Sequence, residues 1–454
     1  MRQQTVSPVF IIVVAVSAAT AGLLYGYDVG VISGALVFLR RAFSLSAIQT
    51  ELITSIAFWG AAAGAAVGGW ASDRFGRRIV LFSAGVLYCV GASTAALAHD
   101  FAQLLAARLL DGVAMGLALL IAPLYIAEVS PARVRGRLVT LNQLATVTGI
   151  LIGYLCNGAL ARIPAGNWRW MFAVGATPAV LLCLVLPLIP ESPRWLLQRG
   201  DVNCALSVLR RMLPADEVAN AVREISASIQ AESGTYRELL GRALRKPLML
   251  AIMLAAAQQI TGINTVLYYG TIIFSEHGGA SASSAMGMNV AVGLVNLAFT
   301  ILGLVLIDKV GRRPLLLIGT GGMGISLVAF AALLRFMPGT PLLLLPVLGY
   351  VACFAFGLGT AVWVCMAEMF PNRVRGRAMS IAIMVLWISV SGVMATFLSL
   401  IDRFTAPGVF AGYAVLCAVA LVSIYAQLPE TSNRTLEEIS SLWSSKDAGI
   451  AATK

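Results

Sequence analysis

The chain has 454 residues, 59% of them hydrophobic and 12% charged, with a formal net charge of +11. Soluble globular chains are about 45–50% apolar and 25% charged. A mean hydropathy of +0.86 therefore excludes a soluble domain and requires a polytopic membrane protein. The positive balance does not indicate nucleic acid as a partner, because the Lys and Arg residues cluster between apolar runs; the partner it implies is the lipid bilayer.

Crossing roughly 30 Å of hydrocarbon takes about 20 apolar residues. Twelve runs meet that length, at 9–38, 51–71, 79–98, 101–126, 138–161, 170–189, 247–275, 284–307, 314–335, 340–369, 378–400 and 405–428. Each must be helical, since a backbone in lipid has to satisfy its own hydrogen bonds. The expected fold class is an all-α integral membrane protein. The first run is too long for a signal peptide, and no small-residue cleavage site follows it.

That first run contains GLLYGYDVGVISGAL, from Gly22 to Leu36, with Asp28 as its one carboxylate. An Asp near the middle of a membrane helix costs roughly 2.5–3.5 kcal/mol on insertion scales and marks function by default. In the fourth run, Arg108 needs an anionic or carbonyl partner, because its guanidinium stays charged when buried. Asp28 is one candidate; Asp111 is a rival, being three residues further along the same helix face. A carboxylate balanced between a nearby cation and desolvation can load and release a proton.

The seventh run holds Gln258, Gln259 and Asn264, with Tyr268 and Tyr269 after them. Amide side chains both donate and accept, which suits a ligand rich in hydroxyl groups. The spacing does not place all three amides on one face of a regular helix, so Gly262 is expected to loosen it. Pro190 and Pro193 are expected to end the sixth span and Pro247 to start the seventh.

Short loops carry the basic residues unevenly. With both termini in the cytoplasm, twelve Arg/Lys fall in the four short inner loops and six in the outer ones, which supports that orientation. The long segment 191–246 is charged and shows helical spacing of apolar residues, so short amphipathic helices are expected there. The expected organisation is a six-helix half at 1–190, a helical linker at 191–246, a second six-helix half at 247–428 and a tail at 429–454. Six of the seven cysteines lie in apolar runs, and none has metal-ligand spacing with His99 or His277. They are expected to be buried hydrophobes; no metal site, cofactor or disulfide is expected.

The chain repeats itself. DRFGRR at Asp73 returns as DKVGRR at Asp308, and PARVRGR at Pro131 returns as PNRVRGR at Pro371. Glu128 and Glu368 repeat at the same offset of 240, and PESPRW at Pro190 has a counterpart in PETSNR at Pro429. Six spans separate the copies, so the halves share one orientation. Parallel repeats of this kind place a binding site between halves.

With these motifs in this order, together with RLLDGVAMG from Arg108, QQITGIN and PETSNRTLEEI, nearly the whole chain resembles the sugar porter family of the major facilitator superfamily. The resemblance implies a twelve-helix transporter working by alternating access, not an enzyme, in a plasma or inner membrane. Its co-substrates would be a monosaccharide and a proton, and it would act as a monomer. Facilitated sugar diffusion and a transporter-like sugar sensor are the alternatives. The resemblance gives Asp28 and Arg108 to proton coupling, and Gln143, Gln258, Gln259, Asn264, Tyr268, Asn296 and Trp363 to the sugar. The charged sets Asp73, Arg77, Glu128, Arg135 and Asp308, Arg312, Glu368, Arg375 would form a cytoplasmic gate. The chain departs from the family pattern at Leu358, Thr360 and Val362, where members often have Pro before the Trp. It departs again at Leu386 and Val390 around Trp387, where members often have amides.

Overall fold

The computed structural model describes residues 8–130, 132–231 and 236–430. Among them twelve helical spans are long and apolar enough to cross a membrane. The chain separates into two compact units, Met1–Ala231 and Glu232–Lys454.

In the first unit the long helices are α1 (Pro8–Ala42), α2 (Ala47–Phe75), α3 (Arg77–Ala96), α4 (Phe101–Val129), α5 (Ala132–Leu160) and α6 (Asn167–Val185). Lipid offers no hydrophobic drive for helices to associate, so close packing has to supply it. Glycines provide the approach. Gly22, Gly26, Gly30 and Gly34 are spaced one turn apart on α1 and lie against α5; a Cβ on Gly26 would sit 1.9 Å from the Thr146 carbonyl oxygen. Asn157 of α5 donates to the Gly30 carbonyl at 2.8 Å. Gly112 and Gly116 of α4 meet the Ala57 and Ala61 carbonyls of α2 in the same way.

Three short helices complete this unit: α7 (Pro193–Gln198), α8 (Val202–Met212) and α9 (Ala215–Ala231). Leu196, Ala205, Val208 and Met212 bury a small core of their own. Asp201 caps α8 by accepting from the Cys204 N–H, which holds its carboxyl below the usual range. Pro190 lies in extended chain after α6, and Pro193 opens α7 with Ser192 as its cap.

The second unit comprises α10 (Tyr236–Leu239), α11 (Arg242–Ile260), α12 (Ile263–Ile272), α13 (Ala282–Val310), α14 (Arg312–Phe336), α15 (Leu344–Phe356), α16 (Leu358–Glu368), α17 (Asn372–Met394) and α18 (Phe397–Gln427). Three of its spans are interrupted. The seventh breaks at Gly262 (φ 92°) and ends in a π turn at Ile273–His277. The tenth breaks at Gly357, and α18 kinks at Thr405. The expectation that Pro247 starts the seventh span is corrected: α11 begins at Arg242 and contains Pro247. Proline there forfeits only an early-turn bond, so the helix extends back past it.

Candidate functional site

Asp28 is held on α1 at the level of the glycine stripe, and Arg108 is held on α4. The two meet as a bidentate ion pair: Arg108 Nη1 contacts Oδ1, and Nη2 donates to Oδ2 at 2.8 Å. Arg108 is 0% exposed and Asp28 and Asp111 are each 1% exposed. With water excluded, the interaction is far stronger than at a surface. Asp111 adds one contact, Oδ2 to Arg108 Nη1 at 3.3 Å. Tyr88 of α3 reaches Asp28 Oδ1 at 3.5 Å. The sequence reading did not include Tyr88, since a Tyr in an apolar run has no distinguishing pattern.

The second cluster forms where two helices break. With α11 interrupted after Ile260, Asn264 at the start of α12 swings onto Gln259 and donates to its Oε1 at 2.5 Å. Gln259 in turn donates to Gln258 Oε1 at 3.3 Å, and Gln258 donates to the Leu358 carbonyl at 2.8 Å. Leu358 is the first residue of α16, beside the Gly357 break. Gly262 permits the turn because a residue with a Cβ rarely adopts its positive φ, and the Tyr413 ring fills the place a Cβ would take, 2.6 Å away. The broken ladder frees the Thr261 carbonyl, and Tyr350 of α15 donates to it at 2.8 Å. Freed backbone groups at membrane depth need such partners.

The remaining expected sugar residues are placed individually. Gln143 is half-buried on α5, Asn296 is buried on α13, Tyr268 is buried on α12, and Trp363 is half-buried on α16. Leu386 and Trp387 are buried on α17.

The charged motifs assemble within each unit. Arg77 contacts Glu128 of α4 at 3.2 Å and Asp73 of α2 at 3.2 Å. Arg312 repeats this with Glu368 and Asp308, both at 3.0 Å. Arg375 donates to the Phe370 carbonyl, while the side chain of Arg135 lies outside the described residues. Two carboxylates not among the expected gate residues join the clusters. Glu191 accepts from the backbone N–H groups of Arg77 and Arg78 at 3.0–3.3 Å. Glu430 accepts from those of Arg312 and Arg313 at 3.1 and 3.0 Å. Each anion sits on orphan donors at a helix N-terminus. Their signal was in the PESPRW/PETSNR repeat, which carries Glu191 and Glu430 at an offset of 239.

The model of the family described as sugar (and other) transporter matches residues 14–443. The chain is 36% identical over 442 residues to the arabinose-proton symporter of Bacillus subtilis, covering 96% of this chain and 95% of that one. It is 37% identical to a D-xylose transporter of Levilactobacillus brevis, covering 96% of each. Among solved structures, the xylose transporter XylE from E. coli in a partially occluded inward-open conformation superposes with a TM-score of 0.84 at 32% identity, covering 94% of this chain and 100% of that one. XylE bound to 6-bromo-6-deoxy-D-glucose, described as a major facilitator superfamily protein, gives 0.80 at 33% identity, with 96% and 99% covered. The fold is therefore the twelve-helix major facilitator fold, and the chain belongs to the sugar (and other) transporter family.

Proposed function

We propose that this protein imports a monosaccharide together with a proton by alternating access in the cell membrane. The observation that carries this reading is the fully buried Asp28–Arg108 pair. A carboxylate that can alternate between a guanidinium and a proton changes the charge of the site with each transport cycle. Similarity to an arabinose-proton symporter and a D-xylose-proton symporter supports it. Gln143, Gln258, Gln259, Asn264, Tyr268, Asn296 and Trp363 bind the sugar, the amides by hydrogen bonds and Trp363 with its flat apolar face.

The organisation that goes with this function is the one read from the sequence. Two six-helix halves at 1–190 and 247–428 flank a helical linker at 191–246, and a tail follows at 429–454. Both termini are cytoplasmic, and one chain is the working unit. The Arg77 and Arg312 clusters, with Arg135 and Arg375, act as a cytoplasmic latch. The contacts to the exposed Asp73 and Asp308 are worth about 0–1 kcal/mol each, which suits contacts that part and re-form, whereas the nearly buried Arg77–Glu128 pair can part only where water or another partner takes up both charges.

The test is uptake of labelled D-xylose, L-arabinose and D-glucose into proteoliposomes, with and without an imposed inward proton gradient. Gradient-dependent accumulation of at least one sugar is expected. Equal equilibration with and without the gradient would sink the symport reading in favour of facilitated diffusion.

A further inference from the structure

Arg108 faces two carboxylates. Asp28 engages both terminal nitrogens of the guanidinium, whereas Asp111 receives one contact of 3.3 Å through Oδ2. Asp111 Oδ1 has no hydrogen-bond partner among the described residues. It presses on Gly91 of α3, where a Cβ would lie 2.1 Å from it.

The ionisable groups facing Asp111 are Arg108 on its own helix, Asp28 on α1 and Tyr88 on α3. On another side, α2 packs along α4 through Ala57 and Gly60 and carries no ionisable residue from Thr54 to Ser72. From Leu138 onward α5 offers only Tyr154 and Cys156. The short helix α7 approaches the other end of α4, where Tyr125 donates to the Pro190 carbonyl. One guanidinium thus serves two acids, and with both ionised the buried cluster would be one positive charge short. An uncompensated buried charge is costly enough that the group takes up a proton instead.

We propose that Asp111 carries that proton: it is a second proton-holding acid of the coupling site, neutral while Asp28 is paired with Arg108. The assignment falls on Asp111 because the two-point, charge-assisted hydrogen bonding at Asp28 favours the carboxylate there. An acid whose second oxygen finds no donor gains least from being ionised. The cluster then works as a two-acid, one-proton unit. The proton sits next to the ion pair it must break, and its transfer to Asp28 would free Arg108 to pair with Asp111. Only this last step rests on the symport reading.

The charge assignment is tested without any sugar, by infrared difference spectroscopy of the purified full-length protein at neutral pH. The C=O stretch of a buried neutral carboxyl is expected in the unmodified protein. It should vanish in Asp111→Asn and shift in frequency in Asp111→Glu, while Asp28→Glu leaves its frequency in place. Absence of the band, its survival in Asp111→Asn, or a shift that follows Asp28→Glu would overturn the assignment. The Asp111→Glu variant keeps the test decisive if the Asn variant does not fold.

The transport arm uses D-xylose. In Asp111→Asn the cluster has lost the acid that stores its proton, so the alkaline limit of gradient-driven uptake should move to lower pH by roughly 1–3 pH units. An unmoved profile would confine Asp111 to a structural role. If no sugar is accumulated by the unmodified protein, the symport reading fails while the infrared assignment stands or falls by itself.

Discussion

Gln258 donates to the carbonyl oxygen of Leu358 at 2.8 Å and so ties the break in the seventh span to the break in the tenth. A side chain expected to hold a sugar is also the link between two interrupted helices. Replacing Gln258 with Leu leaves the Leu358 carbonyl and the Gln259 amide without this partner, in a site where an orphaned polar group costs about 1–3 kcal/mol. Apparent D-xylose affinity should fall at least tenfold, and the melting temperature should drop with it. A variant with unchanged affinity would show that this amide only holds helices together.

Asp28→Asn is expected to abolish gradient-driven accumulation and to retain D-xylose counterflow, because exchange needs no net proton movement. The Asn keeps the shape but loses the charge that balances Arg108, so a stability loss of a few kcal/mol accompanies it. Full accumulation by this variant would remove Asp28 from the coupling step.

Neutralising Glu128 removes the buried carboxylate paired with the guanidinium of the almost fully buried Arg77 and leaves that guanidinium its contact with the exposed Asp73. On the proposed latch, Glu128→Gln should shift the population toward inward-open, read as faster labelling of an introduced cysteine from the proposed cytoplasmic side. The matching change, Glu368→Gln, should act in the same direction. Labelling rates equal to those of the unmodified protein would count against the latch.

The glycine stripe makes a sharp stability prediction. Gly26→Ala places a methyl carbon 1.9 Å from the Thr146 carbonyl oxygen, so α1 and α5 must separate. A loss of roughly 1–3 kcal/mol is expected. Gly69→Ala has no atom within 4 Å of the new methyl and should be neutral or stabilising by up to about 1 kcal/mol. Thermal unfolding of the two variants in one detergent separates packing from propensity.

What was legible in the sequence follows from which forces act locally. Twelve spans could be read because lipid demands long apolar helices, and the charge repeats because they recur at nearly one period. The pairing of Asp28 with Arg108 was readable because charges at mid-helix have few possible partners. Tyr350 serving the Thr261 carbonyl was not readable, since a freed backbone group bonds whatever donor the tertiary fold brings near. The role of Glu191 and Glu430 is half visible: their motif is a repeat in the sequence, but capping a distant helix is a three-dimensional relation. The early start of α11 is not legible because proline favours a helix's first turn, yet α11 carries Pro247 five residues after its start at Arg242.

Gly262 stands 240 residues after Gly22, the same interval that separates Glu128 from Glu368. Gly22 lies in an uninterrupted helix against Asn142, whereas Gly262 breaks its helix beside Tyr413. The two copies have therefore kept one charge pattern and diverged in stiffness. A duplicated half with continuous, closely packed helices yields as a block; one with joints at Gly262 and Gly357 can bend within itself. Amide exchange should reveal this asymmetry, fast around both joints and slow at the equivalent turns of α1 and α4, even in protein with no sugar bound.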